Sequence, residues 1–146
     1  MKKIIIYTDG GSRGNPGPSA IGVVFCNEKG GVLKKYSEFL GEKTNNEAEY
    51  EGVIFALRKF KAVFGNKLAK NTEIEIRTDS ELVVKQLNGE YKILEPDIQQ
   101  LFLAVWNLRF DFQKVRLKLV PRKKNAEADR LVNEALDSQG RSQKLI

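Results

Sequence analysis

No histidine occurs anywhere in the 146 residues. Catalysis by Ser-His-Asp or Cys-His arrangements is therefore excluded, as is every zinc site that needs an imidazole. A single cysteine, Cys26, rules out an intramolecular disulfide and any thiolate cluster. It lies in the apolar run Val23-Val24-Phe25-Cys26 and reads as a small buried hydrophobe. Any bound metal must then be held by oxygen, which favours magnesium, manganese or calcium. Long apolar runs are missing too. Met1-Lys2-Lys3-Ile4-Ile5-Ile6-Tyr7 begins like a secretory signal, but its apolar stretch stops at Thr8-Asp9-Gly10, short of the ~7–15 residues such a signal needs. No stretch nears the ~18 apolar residues of a membrane span. The expectation is a cytoplasmic protein with no membrane partner.

What is present suits one globular domain. Hydrophobic residues make up 41% and charged residues 30% of the chain, so a core can form and wholesale disorder is excluded. The net charge of +6 points toward a polyanionic partner, although solvated surface charge gives the same number.

The apolar pattern predicts an α/β order. Ile4 to Thr8 reads as a strand buried on both faces, Ala20 to Cys26 as a second, and Val32 to Leu40 as a third, in an antiparallel meander. From Asn46 to Phe64, Tyr50, Val53, Ile54, Leu57, Phe60 and Phe64 recur at helical steps, and Gly65-Asn66 ends that helix. Glu73 to Asp79 alternates as a strand. Ser80 caps a short helix to Leu87, and Pro96 opens another to about Phe110. Val115, Leu117 and Leu119 form a last strand, after which Asn125 caps a final helix through Leu136. Residues 1–137 are expected to be one domain and 138–146 a polar tail ending in Leu145-Ile146.

Four carboxylates occupy unusual places. Asp9 follows an apolar strand and precedes two glycines, as a turn-forming Asp also would. Glu49, at ~100° per residue, lines up with Val53, Ala56 and Phe60 in the apolar stripe. A carboxylate buried there needs a cation or a metal as partner. Asp79 ends a strand before a helix, where Ser80 is available to cap in its place. Asp129 borders the stripe of the last helix and could equally pair with Arg130 or Lys124. Together they make an all-oxygen ligand set, and two divalent ions ~4 Å apart can clamp both oxygens of a phosphoryl displacement.

These residues carry a family resemblance. Tyr7-Thr8-Asp9-Gly10-Gly11-Ser12-Arg13-Gly14-Asn15-Pro16-Gly17-Pro18 resembles the opening of type 1 ribonuclease H. Thr44-Asn45-Asn46-Glu47-Ala48-Glu49-Tyr50, Thr78-Asp79-Ser80 and Asn125-Ala126-Glu127-Ala128-Asp129-Arg130-Leu131 are similar to its second, third and fourth motifs, in the same order over residues 1–136. The resemblance implies an α/β RNase H-like fold, a five-stranded mixed sheet with its first three strands antiparallel, flanked by helices. It implies endonucleolytic hydrolysis of the RNA strand of RNA–DNA hybrids, leaving 5′-phosphate and 3′-hydroxyl ends. By it Asp9, Glu49, Asp79 and Asp129 are catalytic and hold two Mg2+ ions, with Mn2+ as a substitute and Asp9 bridging both. Gly11, Ser12, Asn15, Asn45 and Asn46 would contact the minor groove, where amides can read the 2′-hydroxyl. Thr44 would bind a DNA phosphate. For Asn45 and Asn46, helix capping is the structural alternative.

The chain departs from the pattern in three places. The mobile histidine that many members carry is replaced by Val120-Pro121-Arg122-Lys123-Lys124, which leaves Arg122 to contact the scissile phosphate. The basic protrusion of some relatives is missing between Asn88 and Pro96, and Glu81 stands where many carry Gln. A monomer is expected, with double-stranded RNA as an additional substrate to test. The rival readings are a catalytically weak nucleic-acid-binding module and another nuclease of the same fold. A nucleotide binder is disfavoured because the loop matches neither G-x-G-x-x-G nor G-x-x-x-x-G-K-[ST].

Overall fold

The β-branched run after Lys2 becomes the central strand of a five-stranded sheet. The structure, a computed structural model, describes the backbone of residues 2–144 and the side chains of residues 2–139. Strands β1 (Lys3–Ser12), β2 (Gly17–Cys26) and β3 (Val32–Lys43) form the antiparallel meander. They run past the apolar positions because glycine and serine ends still pair, as Gly11 does with Ala20 and Ser12 with Ser19. Strands β4 (Glu73–Thr78) and β5 (Lys114–Leu119) add in parallel, giving the order β3-β2-β1-β4-β5.

Helix α1 (Asn45–Phe64) crosses one face of the sheet. Neither Asn45 nor Asn46 caps it. Thr44 does, because its backbone is extended and its hydroxyl accepts from the Glu47 N–H at 3.2 Å. The Glu47 carboxylate accepts in return from the Thr44 N–H at 2.8 Å, a reciprocal box that satisfies two orphan donors. Gly65, at φ 91°, ends α1, and a further short helix α2 (Asn66–Lys70) follows. The apolar pattern missed it because only Ala69 is buried in its five residues. Helices α3 (Glu81–Leu87) and α4 (Pro96–Arg109) precede β5. A 3-10 turn (Arg122–Asn125) leads into α5 (Ala126–Lys144) on the opposite face. The helix thus continues past Leu136 into the segment read as a tail, while Leu145 and Ile146 lie outside the described residues.

The main core lies between the sheet and helices α1 and α4, with Ile4, Ile6, Phe25, Tyr50, Leu57, Phe60, Ile74 and Ile76 buried in it. Smaller clusters around Leu131 and Val132 seat α5 on β1 and β2. Cys26 is buried among them, as expected of an apolar residue. Two strand glycines set how closely the layers approach. A Cβ on Gly10 would sit 2.1 Å from the Ala48 carbonyl oxygen of α1, and one on Gly22 would sit 2.1 Å from that of Ala128 in α5. Both helices carry a carboxylate one residue further on, so these contacts place Glu49 and Asp129 over the end of β1.

Candidate active site

Strands β1, β4 and β5 point the same way, and ligands of open α/β sheets bind at the carboxyl ends of such strands. A cleft of about 820 Å³ opens there. Its walls come from the ends of all three strands: Asp9 to Arg13, Asp79 to Glu81, and Leu119 to Arg122. Glu49 of α1 and Asp129 of α5 complete it.

The register explains how the carboxylates meet. Tyr7 of β1 lies beside Arg77 of β4, so two residues further on Asp9 and Asp79 emerge at adjacent strand ends. Ser80 takes the capping role, its hydroxyl accepting from the Val83 N–H at 3.3 Å, and this leaves the Asp79 carboxylate available. One oxygen each from Asp9, Glu49 and Asp79 lies within 4.8 Å of the others. Asp129 approaches Asp9 from α5. The surface pairing open to Asp129 is not made, since Arg130 bonds Glu127 and Glu134 instead.

The cluster is short of positive charge. Burial, then the charges of Asp79 and Asp129, push the Asp9 carboxyl up to about 7. Burial, then Asp9 and Asp79, push Glu49 up to about 9. The Arg122 guanidinium holds its Nε 4.0 Å from Asp79 Oδ2 and is 86% exposed, so it neutralises little. Closely packed oxygen donors without a compensating cation are the chemistry a divalent ion satisfies. The residues present therefore fit a hard metal.

The other expected site residues divide. Gly11, Ser12, Asn45 and Arg122 line the cleft. The Ser12 Oγ is buried and has no hydrogen-bond partner among the described residues. Asn15 stands one step back: its Oδ1 accepts from the Asn45 N–H at 2.9 Å, while Asn45 Oδ1 accepts from the Ser12 N–H at 3.4 Å. These bonds tie the glycine loop to α1. Thr44 is engaged as the helix cap. Asn46 lines a separate small groove with Leu82, Gln86 and Lys92.

Two residues were not anticipated in their roles. Asn125 does not cap α5; buried at the end of the 3-10 turn, its Nδ2 donates to the Thr8 carbonyl at 2.8 Å and to Asp79 Oδ1 at 3.4 Å. Arg13 pairs with Asp137 at 2.7 Å and bonds Asn133, anchoring the glycine loop to α5. Sequence spacing carried no signal for the second of these.

Residues 7–135 match the family model described as reverse transcriptase-like. A ribonuclease HI of Halobacterium salinarum is 41% identical over 92% of this chain and 65% of its own length. A bifunctional protein of Mycobacterium tuberculosis is 41% identical over 96% of this chain, which spans only 37% of that relative. Among solved structures, an RNase H1 isolated from compost is 48% identical with a TM-score of 0.89, covering 95% of this chain and 99% of that one. The same enzyme has been solved in complex with an RNA/DNA hybrid, again with a TM-score of 0.89 over 93% of this chain and 98% of that one. Sheet order and an identity of 41% to 48% over more than nine-tenths of this chain agree, and the chain belongs to the reverse transcriptase-like family as an RNase H-like domain of the ribonuclease H1 kind.

Proposed function

We propose that this chain is an endoribonuclease that hydrolyses the RNA strand of RNA–DNA hybrids, leaving 5′-phosphate and 3′-hydroxyl ends. The observation that carries the reading is the meeting of Asp9, Glu49 and Asp79 within 4.8 Å at the carboxyl ends of β1 and β4, with Asp129 beside them. The complex of its compost relative with an RNA/DNA hybrid supports the choice of substrate.

Asp9, Glu49, Asp79 and Asp129 would hold two divalent ions, magnesium with manganese as substitute. Such ions supply the charge that stabilises the attacking and departing oxygens of a phosphodiester. Asp9, which meets Glu49 and Asp79 within 4.8 Å and also has Asp129 as a neighbour, would be the carboxylate shared by both ions. Holding the set on paired strands and packed helices fixes its geometry before substrate arrives. Gly11, Ser12 and Asn45 line the cleft, where the loop backbone and the Asn45 amide would offer donors and acceptors to a 2′-hydroxyl. Asn15 holds Asn45 in place. Thr44, beside that group, would bind a DNA phosphate, and Asn46 would join Asn45 at the minor groove. Arg122, exposed at the rim 4.0 Å from Asp79, would contact the scissile phosphate.

A 5′-labelled RNA strand annealed to DNA or to RNA, with magnesium, manganese or EDTA, tests the reading. Internal cuts in the hybrid that require metal are the expected result. Cuts in both duplexes broaden the substrate to double-stranded RNA. A hybrid bound but left uncut under either metal overturns the enzyme in favour of a binding module.

A further inference from the structure

The basic residues that give the chain its charge of +6 are scarce in the catalytic cleft, where among the described residues only Arg13 and Arg122 face five acids. A concentration of them lies on β5. Val115 and Leu117 pack into the main core, so Lys114, Arg116 and Lys118 alternate onto the opposite sheet face, and all three are exposed. Helix α5 packs on that face over β1, β2 and β3, leaving the β4–β5 side open.

The register puts Glu73, Glu75 and Arg77 of β4 beside the three β5 cations, with Lys3 at the start of β1. The acids there are already engaged. Glu75 is buried between Lys3 at 3.3 Å and Arg77 at 2.6 Å, and Glu73 holds Arg116 at 2.7 Å. Lys114 and Lys118 have no acidic partner among the described residues. The row has direction as well as charge. Successive outward residues of a strand are ~6.7 Å apart, about twice the 3.4 Å rise per nucleotide of one strand of a duplex. At its far end β5 runs through Leu119, Val120 and Pro121 into Arg122, all of which line the cleft, and Lys123 and Lys124 follow.

We propose that this basic row along β5 binds the phosphates of nucleic acid extending out of the cleft, so that a tail or flanking duplex adds affinity that a bare hybrid lacks. The inference rests on the hybrid reading for what occupies the cleft, but the row's own contacts need no hydrolysis. Lysines on an edge strand also guard against sheet-to-sheet pairing. That duty depends on charge of either sign, whereas phosphate binding depends on positive charge, and this separates the two.

The test is fluorescence anisotropy in EDTA with three labelled probes: a short blunt RNA–DNA hybrid, the same hybrid with a single-stranded DNA tail, and the same hybrid with a duplex DNA extension. The wild-type chain is expected to bind one or both extended probes about tenfold more tightly than the blunt one. In Lys114→Glu/Lys118→Glu that gain disappears, and the salt slope on the preferred probe falls by ~1.4–1.8, the loss of two phosphate contacts. Affinity for the blunt hybrid, and its cleavage rate in magnesium, stay unchanged. Lys114→Gln/Lys118→Gln gives an intermediate loss and controls for repulsion. Preference for the tail assigns a single strand to the row, and preference for the extension assigns a duplex. Equal wild-type affinity for all three probes overturns the proposal, as does a reversed variant that keeps the gain. Failure to bind even the blunt hybrid would instead count against the hybrid reading of the cleft.

Discussion

Asn125 reaches across the end of the sheet to Asp79, 46 residues earlier in the chain, donating to its carboxylate at 3.4 Å and to the Thr8 carbonyl at 2.8 Å. It thereby joins the last turn before α5 to the ends of β1 and β4, while remaining outside the cleft wall itself. Its own Oδ1 is buried without a partner among the described residues, a cost accepted at the place where the carboxylates are set.

Replacing Asn125 by Ala should therefore separate orientation from binding. Loss of the amide leaves the Thr8 carbonyl without its buried donor and should lower stability by ~1–3 kcal/mol. Asp79 loses its tether, so kcat on a hybrid should fall by ~10-fold or more, in the range seen when a group supporting a metal ligand is removed. KM should change little, because Asn125 does not line the cleft. Urea denaturation and steady-state cleavage measure the two effects. A raised KM with unchanged kcat would mean that Asn125 serves the substrate and not Asp79.

Much of this was legible in the sequence, for identifiable physical reasons. The runs around Ile4 and Val23 are apolar without interruption because both faces of those strands are covered, while Ile74 and Ile76 alternate with polar neighbours, and either pattern marks a strand in the chain itself. Asp79 was separable from a capping role because Ser80 stood next to it. The box at Thr44 and Glu47 was also readable, as Thr-x-x-Glu before an apolar run, yet the resemblance drew attention to Thr44 as a phosphate ligand instead. Asn125 illustrates the limit. An Asn before a helix satisfies the local rule for a cap, and only the third dimension shows that its amide is directed at residues 46 and 117 positions away. The Arg13–Asp137 pair and the basic row on β5 likewise exist only after strands and helices are stacked.

Gly22 holds α5 at its working distance, and Gly22→Ala should act on the site through that helix. The added methyl would meet the Ala128 carbonyl at 2.1 Å, backbone that cannot swing aside. Overpacking of this kind costs ~1–3 kcal/mol. The displaced helix carries Asp129, so hydrolysis should fall further than the stability loss explains at a temperature where the variant remains folded. Thermal melts paired with cleavage assays at low temperature check this. A folded variant with full activity would show that the position of Asp129 tolerates movement of α5.

The raised carboxyls predict how the metal-free protein responds to pH. Asp9 moves from 3.8 to about 7 and Glu49 from 4.5 to about 9 on folding, so the folded state binds more protons than the unfolded state within those windows. Stability contributed by these two groups therefore falls as pH rises, from none lost below pH ~4 to the full loss above about 9. Glu49→Gln removes one of them. In EDTA its stability relative to wild type should be similar near pH 4.5 and should become increasingly favourable toward pH 9. Urea midpoints across that range give the difference directly, and a constant difference would mean that Glu49 ionises freely in the folded chain.

Divalent metal should reverse that ordering. Magnesium bound only to the folded state stabilises it in proportion to RT ln(1 + [L]/Kd), so the wild-type melting temperature should rise with magnesium concentration. Asp79→Asn keeps the shape of the side chain but removes a full charge from the oxygen cluster. It should fold at least as well as wild type in EDTA, because the charge of Asp79 is among the causes that raise both Asp9 and Glu49. It should gain little on adding magnesium, and its hydrolysis of hybrids should drop by on the order of 100-fold or more. Melting curves with and without magnesium, set beside cleavage rates, join stability to catalysis through one residue. If Asp79→Asn kept the full magnesium-induced stabilisation, the ions would have to be held without it, and the acidic cluster at the end of β4 would lose its assigned role.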